Sequence, residues 1–119
     1  MNNNFFISEI KSFGYAISGI AKCFKNEKHF KFHIAAAVVV IATGFYLKLT
    51  VAQWCIILIC IAMVIAAEMF NSAIERLTNL ISKEKKTALG EIKDIAAGAV
   101  LVCSVVSAII AVIILFGKF

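Results

Sequence analysis

The 119-residue sequence contains no proline and only six glycines. With so few residues that interrupt a helix, long continuous helices are the expected local structure. Its four cysteines, Cys23, Cys55, Cys60 and Cys103, show neither a CxxC pair nor zinc-finger spacing. That argues against a disulfide framework or a structural zinc site and leaves most of them as small apolar fillers. There is no GxxxxGK(S/T) phosphate loop, no GxGxxG turn and no HRD or DFG sequence. A nucleotide, if one is used, is therefore not cradled on a glycine-rich loop. The opening MNNNFFISEIKSF lacks the basic start, early apolar run and cleavage site of a signal peptide, so the N-terminus is expected to be retained.

What is abundant is apolar. Hydrophobic residues make up 62% of the chain and the mean hydropathy is +0.97. Soluble domains carry roughly 45–50% apolar residues, so a membrane protein is expected. A chain of 13.0 kDa forms a single domain and cannot hold a conventional two-lobed nucleotide-binding enzyme. A site needing many groups would be shared between chains, so a homo-oligomer is expected. The net charge of +5 comes from lysines that flank apolar segments. Anionic lipid headgroups, rather than nucleic acid, are the partner this pattern fits.

Residues 5–25 read as an amphipathic helix. Phe6, Ile10, Phe13, Ile17, Ile20 and Phe24 recur by steps of four and three and share a face. Ser8, Glu9, Lys11, Ser12, Ser18, Lys22 and Lys25 occupy the rest, which is too polar to span a bilayer but suits a helix lying in the interface. A polar junction, NEKHFKFH at 26–33, leads to a first span over 32–47. A minimal turn follows at Lys48, Leu49 and Thr50, and then a second helix over 51–81, whose end should emerge from the membrane. Residues 82–92 read as a polar loop and 95–116 as the third span. The fold class is thus an all-α membrane protein with an interfacial N-terminal helix and three transmembrane helices.

Charge sets the orientation. Lys11, Lys22, Lys25, Lys28 and Lys31 precede the first span, and Arg76, Lys83, Lys85, Lys86 and Lys93 lie between the second and third. Only Lys48 and Lys118 fall on the other side. The N-terminus and the 82–93 loop are therefore expected in the cytoplasm and the C-terminus outside, in a cytoplasmic (inner) membrane. All seven acids, Glu9, Glu27, Glu68, Glu75, Glu84, Glu91 and Asp94, fall on that same cytoplasmic side, where no topology rule obliges them to be.

The strongest constellation is Glu68, Asn71, Ser72 and Glu75, spaced i, i+3, i+4 and i+7 and so placed on one helix face. The two carboxylates lie about 10 Å apart along the axis, from a rise of 1.5 Å per residue. Glu68 directly follows an apolar run, where a carboxylate is costly unless it is used or paired. Proton abstraction from a lipid alcohol is one use; a polar seam joining helices is the other reading. Lys93 and Asp94 could meet phosphate oxygens, a metal or a nucleotide hydroxyl, or could simply mark a helix start. Glu27 could join Glu75 on Mg²⁺, which needs only one or two carboxylates besides phosphates and waters; alone it reads as a solvated junction residue. His29 and His33, four apart, lack the third ligand a zinc site requires.

AEMFNSAIE at 67–75, GEIKDIAAGAVL at 90–101, and FGYAISGI with NEKHFKFH before the first span resemble the prokaryotic diacylglycerol kinase family, which also contains the undecaprenol kinases. The resemblance covers almost the whole chain. It implies a homotrimer with composite sites between subunits that transfers the ATP γ-phosphate to a lipid hydroxyl using Mg²⁺. By resemblance, Glu68 is the general base, Glu27 and Glu75 hold metal, and Asn71, with Ser72 beside it, supports the site. Tyr15, Glu84, Lys86, Lys93 and Asp94 meet the nucleotide, as do Glu27 and Glu75. The lipid lies against Ser12, Phe13, Phe30, His33, Trp54 and Ala97, with its hydroxyl at Glu68. Three positions depart from the family pattern: Ser8 replaces an arginine, Asn79 an aspartate and Lys86 a histidine.

HFKFH resembles the NFRIH segment of undecaprenol kinases more than the FRQE segment of diacylglycerol kinases, and Gln53-Trp54 resembles their Glu-Trp. This favours undecaprenol over diacylglycerol as acceptor. A non-enzymatic scaffold or small channel subunit is the competing reading from another class. A conducting pore, though, would more naturally carry its polar residues along the spans.

Overall fold

The computed structural model describes residues 3–82 and 87–118. It has helices α1 (Asn3–Asn26), α2 (Lys28–Leu47), α3 (Val51–Ile81) and α4 (Thr87–Phe116). Among the described residues three helices, α2, α3 and most of α4, are long and apolar enough to cross a membrane. At about 1.5 Å per residue, α3 alone is about 46 Å long, well beyond the roughly 30 Å hydrocarbon core.

Two of the helices begin earlier than the polarity of their first residues suggests. Only Glu27, with an extended backbone at φ −109° and ψ 111°, separates α1 from α2. Burial of Phe30, which is 1% exposed, draws the polar junction into the first turn of α2. The fourth helix starts at Thr87 rather than near 95, because Ala88, Leu89, Glu91 and Lys93 are good helix formers despite their polarity as a group.

The turn between α2 and α3 is closed from both sides. Lys48 takes the left-handed conformation at φ 55°, the one non-glycine residue among those described to do so. This lets the Leu49 N–H donate to Gly44 O at 3.2 Å, the six-to-one bond of a Schellman turn. Thr50 then caps α3. Its Oγ1 accepts from the Gln53 N–H at 3.2 Å, and Gln53 Oε1 accepts from the Thr50 N–H at 3.0 Å, a complete capping box. Gly44 permits the closeness of this turn, because the Trp54 indole lies where a Cβ would stand.

The third helix is the centre of the fold. It packs most extensively on α4 and also meets α2 and the end of α1. Its buried residues, Ile57, Val64, Glu68, Asn71, Ser72 and Thr78, lie along one side. The Ser107 hydroxyl of α4 donates to Cys60 O at 3.4 Å, a polar link across the α3–α4 seam. Most large apolar side chains point outward, among them Val39, Ile59, Val105 and Ile113. That inversion of a soluble core suits a chain whose surroundings are hydrocarbon. The molecule measures 50 × 50 × 22 Å, and among the described residues α1 packs only against α2 and α3.

Candidate active site

The polar stripe on α3 forms the floor of the site. Glu68, Asn71 and Ser72 are buried, and Glu75 is half-buried beyond them. Asn71 Nδ2 donates to Glu75 Oε1 at 3.4 Å, while Asn71 Oδ1 and Ser72 Oγ are buried with no hydrogen-bond partner. Unsatisfied buried polar atoms are costly in a low-dielectric setting, so this pair marks a place that wants a polar ligand or partner. Thr78 Oγ1 donates to Glu75 O at 2.9 Å and continues the stripe.

Two neighbours approach from α1 and α2. His33 Nε2 faces Glu68 Oε2 at 3.7 Å. Arg76, the chain's single arginine, donates to Glu27 Oε1 at 3.4 Å and ties the α1–α2 junction to α3. Cys23 is buried beside this pair. Burial pushes its thiol above the ordinary value; Arg76 opposes the shift, and Glu27 and Glu68 add to it. Further along α3, Lys93 Nζ donates to Asn79 Oδ1, which lies one turn beyond Glu75.

The residues expected to contact nucleotide or lipid are only partly gathered. Glu68, Asn71, Ser72 and Glu75 share the stripe, with His33 against Glu68, and Glu27 is held to the same helix through Arg76. Lys93 joins the far end of the same stripe, while Asp94 and Ala97 are exposed on α4. Ser12, Phe13 and Tyr15 are exposed on α1; the Ser12 hydroxyl donates to Ser8 O at 3.0 Å. Phe30 is packed inside the protein. Trp54 lies fourteen positions before Glu68, about 21 Å along the helix, where it packs on Phe45 with ring centroids 4.8 Å apart. Glu84 and Lys86 lie outside the described residues.

Sequence reasoning treats Arg76 only as a topology charge, gives Cys23 no place near the site, and does not pair Asn79 with Lys93 or name Thr78. A lone arginine directly after Glu75, a residue of the candidate stripe, is the available signal for the first. The others depend on tertiary proximity.

Below Glu68 an apolar groove of about 510 Å³ runs between α2, α3 and α4, from His33 past Ala36, Ile57 and Ala108 to Phe116. Ser104, whose hydroxyl is buried without a partner, also lines it.

Compared with known proteins, residues 14–115 match the family model described as prokaryotic diacylglycerol kinase. The chain belongs to this family. It is 39% identical to an undecaprenol kinase of Bacillus subtilis (strain 168) over 116 residues, covering 98% of this chain and 91% of that protein. It is 30% identical to a diacylglycerol kinase of Synechocystis over 100 residues, 83% of this chain and 57% of that protein. A diacylglycerol kinase of Escherichia coli (strain K12) is 27% identical over 118 residues, 99% of this chain and 97% of that protein. Family membership and the three apolar helices make this a multi-pass membrane protein.

Among the described residues no three metal-binding side chains converge. A closed metal cage is therefore not built by these residues. The donors present are nevertheless hard oxygens: the Glu27 and Glu75 carboxylates and the unpartnered Asn71 Oδ1. That set fits Mg²⁺ arriving with nucleotide phosphates, which keeps several waters and asks the protein for one or two carboxylates.

Proposed function

We propose that the chain is an integral membrane lipid kinase that transfers the γ-phosphate of ATP to the hydroxyl of a lipid alcohol, with undecaprenol as the favoured acceptor. The observation that carries this is the burial of Glu68 on α3, beside two orphaned polar atoms, in a chain of the prokaryotic diacylglycerol kinase family. The higher identity to an undecaprenol kinase than to the diacylglycerol kinases supports the choice of acceptor. The working unit is a homotrimer in the cytoplasmic membrane, with α1 in the interface, the N-terminus and the 82–93 segment inside, and the C-terminus outside. The lysine distribution supports that orientation.

In this mechanism Glu68 accepts the proton of the lipid hydroxyl as its oxygen forms a bond to the γ-phosphorus. The bond from that phosphorus to the bridging oxygen breaks, and the electron pair leaves with ADP. Asn71 and Ser72 support the groups around Glu68. Glu27 and Glu75 would hold Mg²⁺, which supplies charge neutralisation on the phosphate oxygens when bound. Lys93 exchanges Asn79 for the nucleotide phosphates, and Asp94, Tyr15, Glu84 and Lys86 complete the nucleotide side. The lipid reaches Glu68 from the membrane, its apolar part along Ser12, Phe13, His33 and Ala97, with Phe30 backing this surface from inside the protein and Trp54 toward the far end of the tail.

The test is a side-by-side transfer assay in mixed micelles, with labelled ATP and either undecaprenol or diacylglycerol. Undecaprenol should be phosphorylated faster, and Glu68→Gln should abolish transfer while the oligomer persists. Full turnover by Glu68→Gln would refute the assigned base, and no transfer to either lipid would refute the kinase.

A further inference from the structure

Glu68 is the most enclosed charge-bearing side chain in the site, at 5% exposure, and a carboxylate so placed needs a partner to hold it in one orientation. Its own helix does not provide one. Asn71, one turn on, directs its amide to Glu75, and the Ser72 hydroxyl is unpartnered. Arg76 is drawn to Glu27. Among the described residues the group in contact with the Glu68 carboxylate is His33, whose Nε2 stands 3.7 Å from Oε2. The imidazole is 16% exposed and therefore nearer to water than Glu68. An edge-to-face contact with Phe32, ring centroids 5.7 Å apart at 76°, restrains the ring. His33 also forms the head of the apolar groove between α2, α3 and α4.

We infer that His33 is a positioning residue for the general base: its Nε2–H orients the Glu68 carboxylate toward the lipid hydroxyl and holds it in place for proton transfer. The inference rests on the lipid-kinase assignment above and goes beyond contact between His33 and lipid. At 3.7 Å the pair is an electrostatic contact a few tenths of an ångström longer than a hydrogen bond. Catalytic hydrogen bonds often tighten only when the substrate is bound, and His33 sits where an incoming lipid would press on it.

The geometry makes a selective demand. Glutamine places its amide nitrogen where a histidine places Nε2, whereas asparagine stops at the level of Nδ1. The test compares His33→Gln, His33→Asn and His33→Leu with the wild-type protein, in mixed micelles with undecaprenol and Mg-ATP. His33→Gln should keep kcat within about threefold. His33→Asn and His33→Leu should lose on the order of 10–100-fold in kcat, the usual effect of removing a group that orients a reacting one, a loss larger than any rise in lipid KM and with KM for ATP little changed. Since glutamine and asparagine are alike in polarity, a general folding defect would not separate them. Equal turnover of the Gln and Asn variants, or a raised lipid KM with kcat preserved, overturns the positioning role. In either case wild-type transfer leaves the kinase assignment standing, whereas no transfer by wild type removes both.

Discussion

Replacing Gly44 by alanine should loosen the turn of the α2–α3 hairpin. A Cβ at this position would lie 2.8 Å from Trp54 Cη2, 3.1 Å from Trp54 Cζ2 and 2.9 Å from Leu49 Cδ1. Carbon atoms sit comfortably at about 3.5 Å or more, so the edge of the indole must retreat by roughly 0.7 Å. Phe45, with its ring centroid 4.8 Å from that of Trp54 and tilted by 50°, restricts where the indole can go. Overpacking of this kind costs about 1–3 kcal/mol. Part of the aromatic pair, worth about 0.5–1.5 kcal/mol, is also at stake. Against these stands about 1 kcal/mol from alanine's better helix propensity. The net loss should be about 0.5–3.5 kcal/mol by the same terms. The chain has one tryptophan, so its emission reads this contact directly. In an SDS titration from mixed micelles, Gly44→Ala should unfold at lower denaturant, and its native emission spectrum should differ from wild type. In a Trp54→Ala background, followed by circular dichroism, the same substitution should lose most of its cost. An unchanged midpoint together with an unchanged spectrum in Gly44→Ala would refute the argument.

Three other outcomes are expected. Thr50→Ala removes the hydroxyl half of the α3 capping box and should lower unfolding stability by about 1 kcal/mol in the same titration. With Cys55, Cys60 and Cys103 replaced by alanine, Cys23 should react with a thiolate-selective reagent more slowly than a free cysteine near pH 8, its rate still climbing at higher pH. Arg76→Ala, which removes the charge that favours the thiolate, should slow it further in a rate-versus-pH series. Lys93→Ala should raise KM for ATP by about tenfold or more, the equivalent of one charged hydrogen bond, and leave the lipid KM nearly unchanged in steady-state kinetics.

The sequence carried some of this fold and withheld the rest for physical reasons. The bounds of α3 were legible because an apolar run and a polar stripe share one helical period, from Val51 to Ile81. The stripe Glu68, Asn71, Ser72 and Glu75 was legible for the same reason, since helix spacing is a local property. The starts of α2 and α4 were not, because Lys28–His29 and Thr87–Lys93 look like loop by polarity while their backbone is helical. The Arg76–Glu27 pair spans 49 residues, and no local pattern announces it. His33 illustrates the limit most clearly. Four residues is the spacing of one helix face, yet His29 is exposed while His33 turns to a carboxylate on another helix. Trp54 carries the converse lesson: resemblance grouped it with the lipid contacts, but within one chain it belongs to the opposite end of α3.

The continuity of α3 has a consequence for how the site relates to its surroundings. One unbroken helix connects the capped turn at Thr50 with Glu68, a rigid strut of about 25 Å from Val51 at the usual rise. The hydrocarbon layer is about 30 Å deep and differs by a few ångströms between membranes. In the proposed orientation, with the Thr50 turn held at the outer face, the height of Glu68 relative to the inner water boundary would follow the thickness of the bilayer. A thicker membrane submerges the carboxylate, and a thinner one lifts it into water. On that reading the strut would act as a depth gauge, through which lipid composition reaches the proposed proton acceptor without any ligand binding to it.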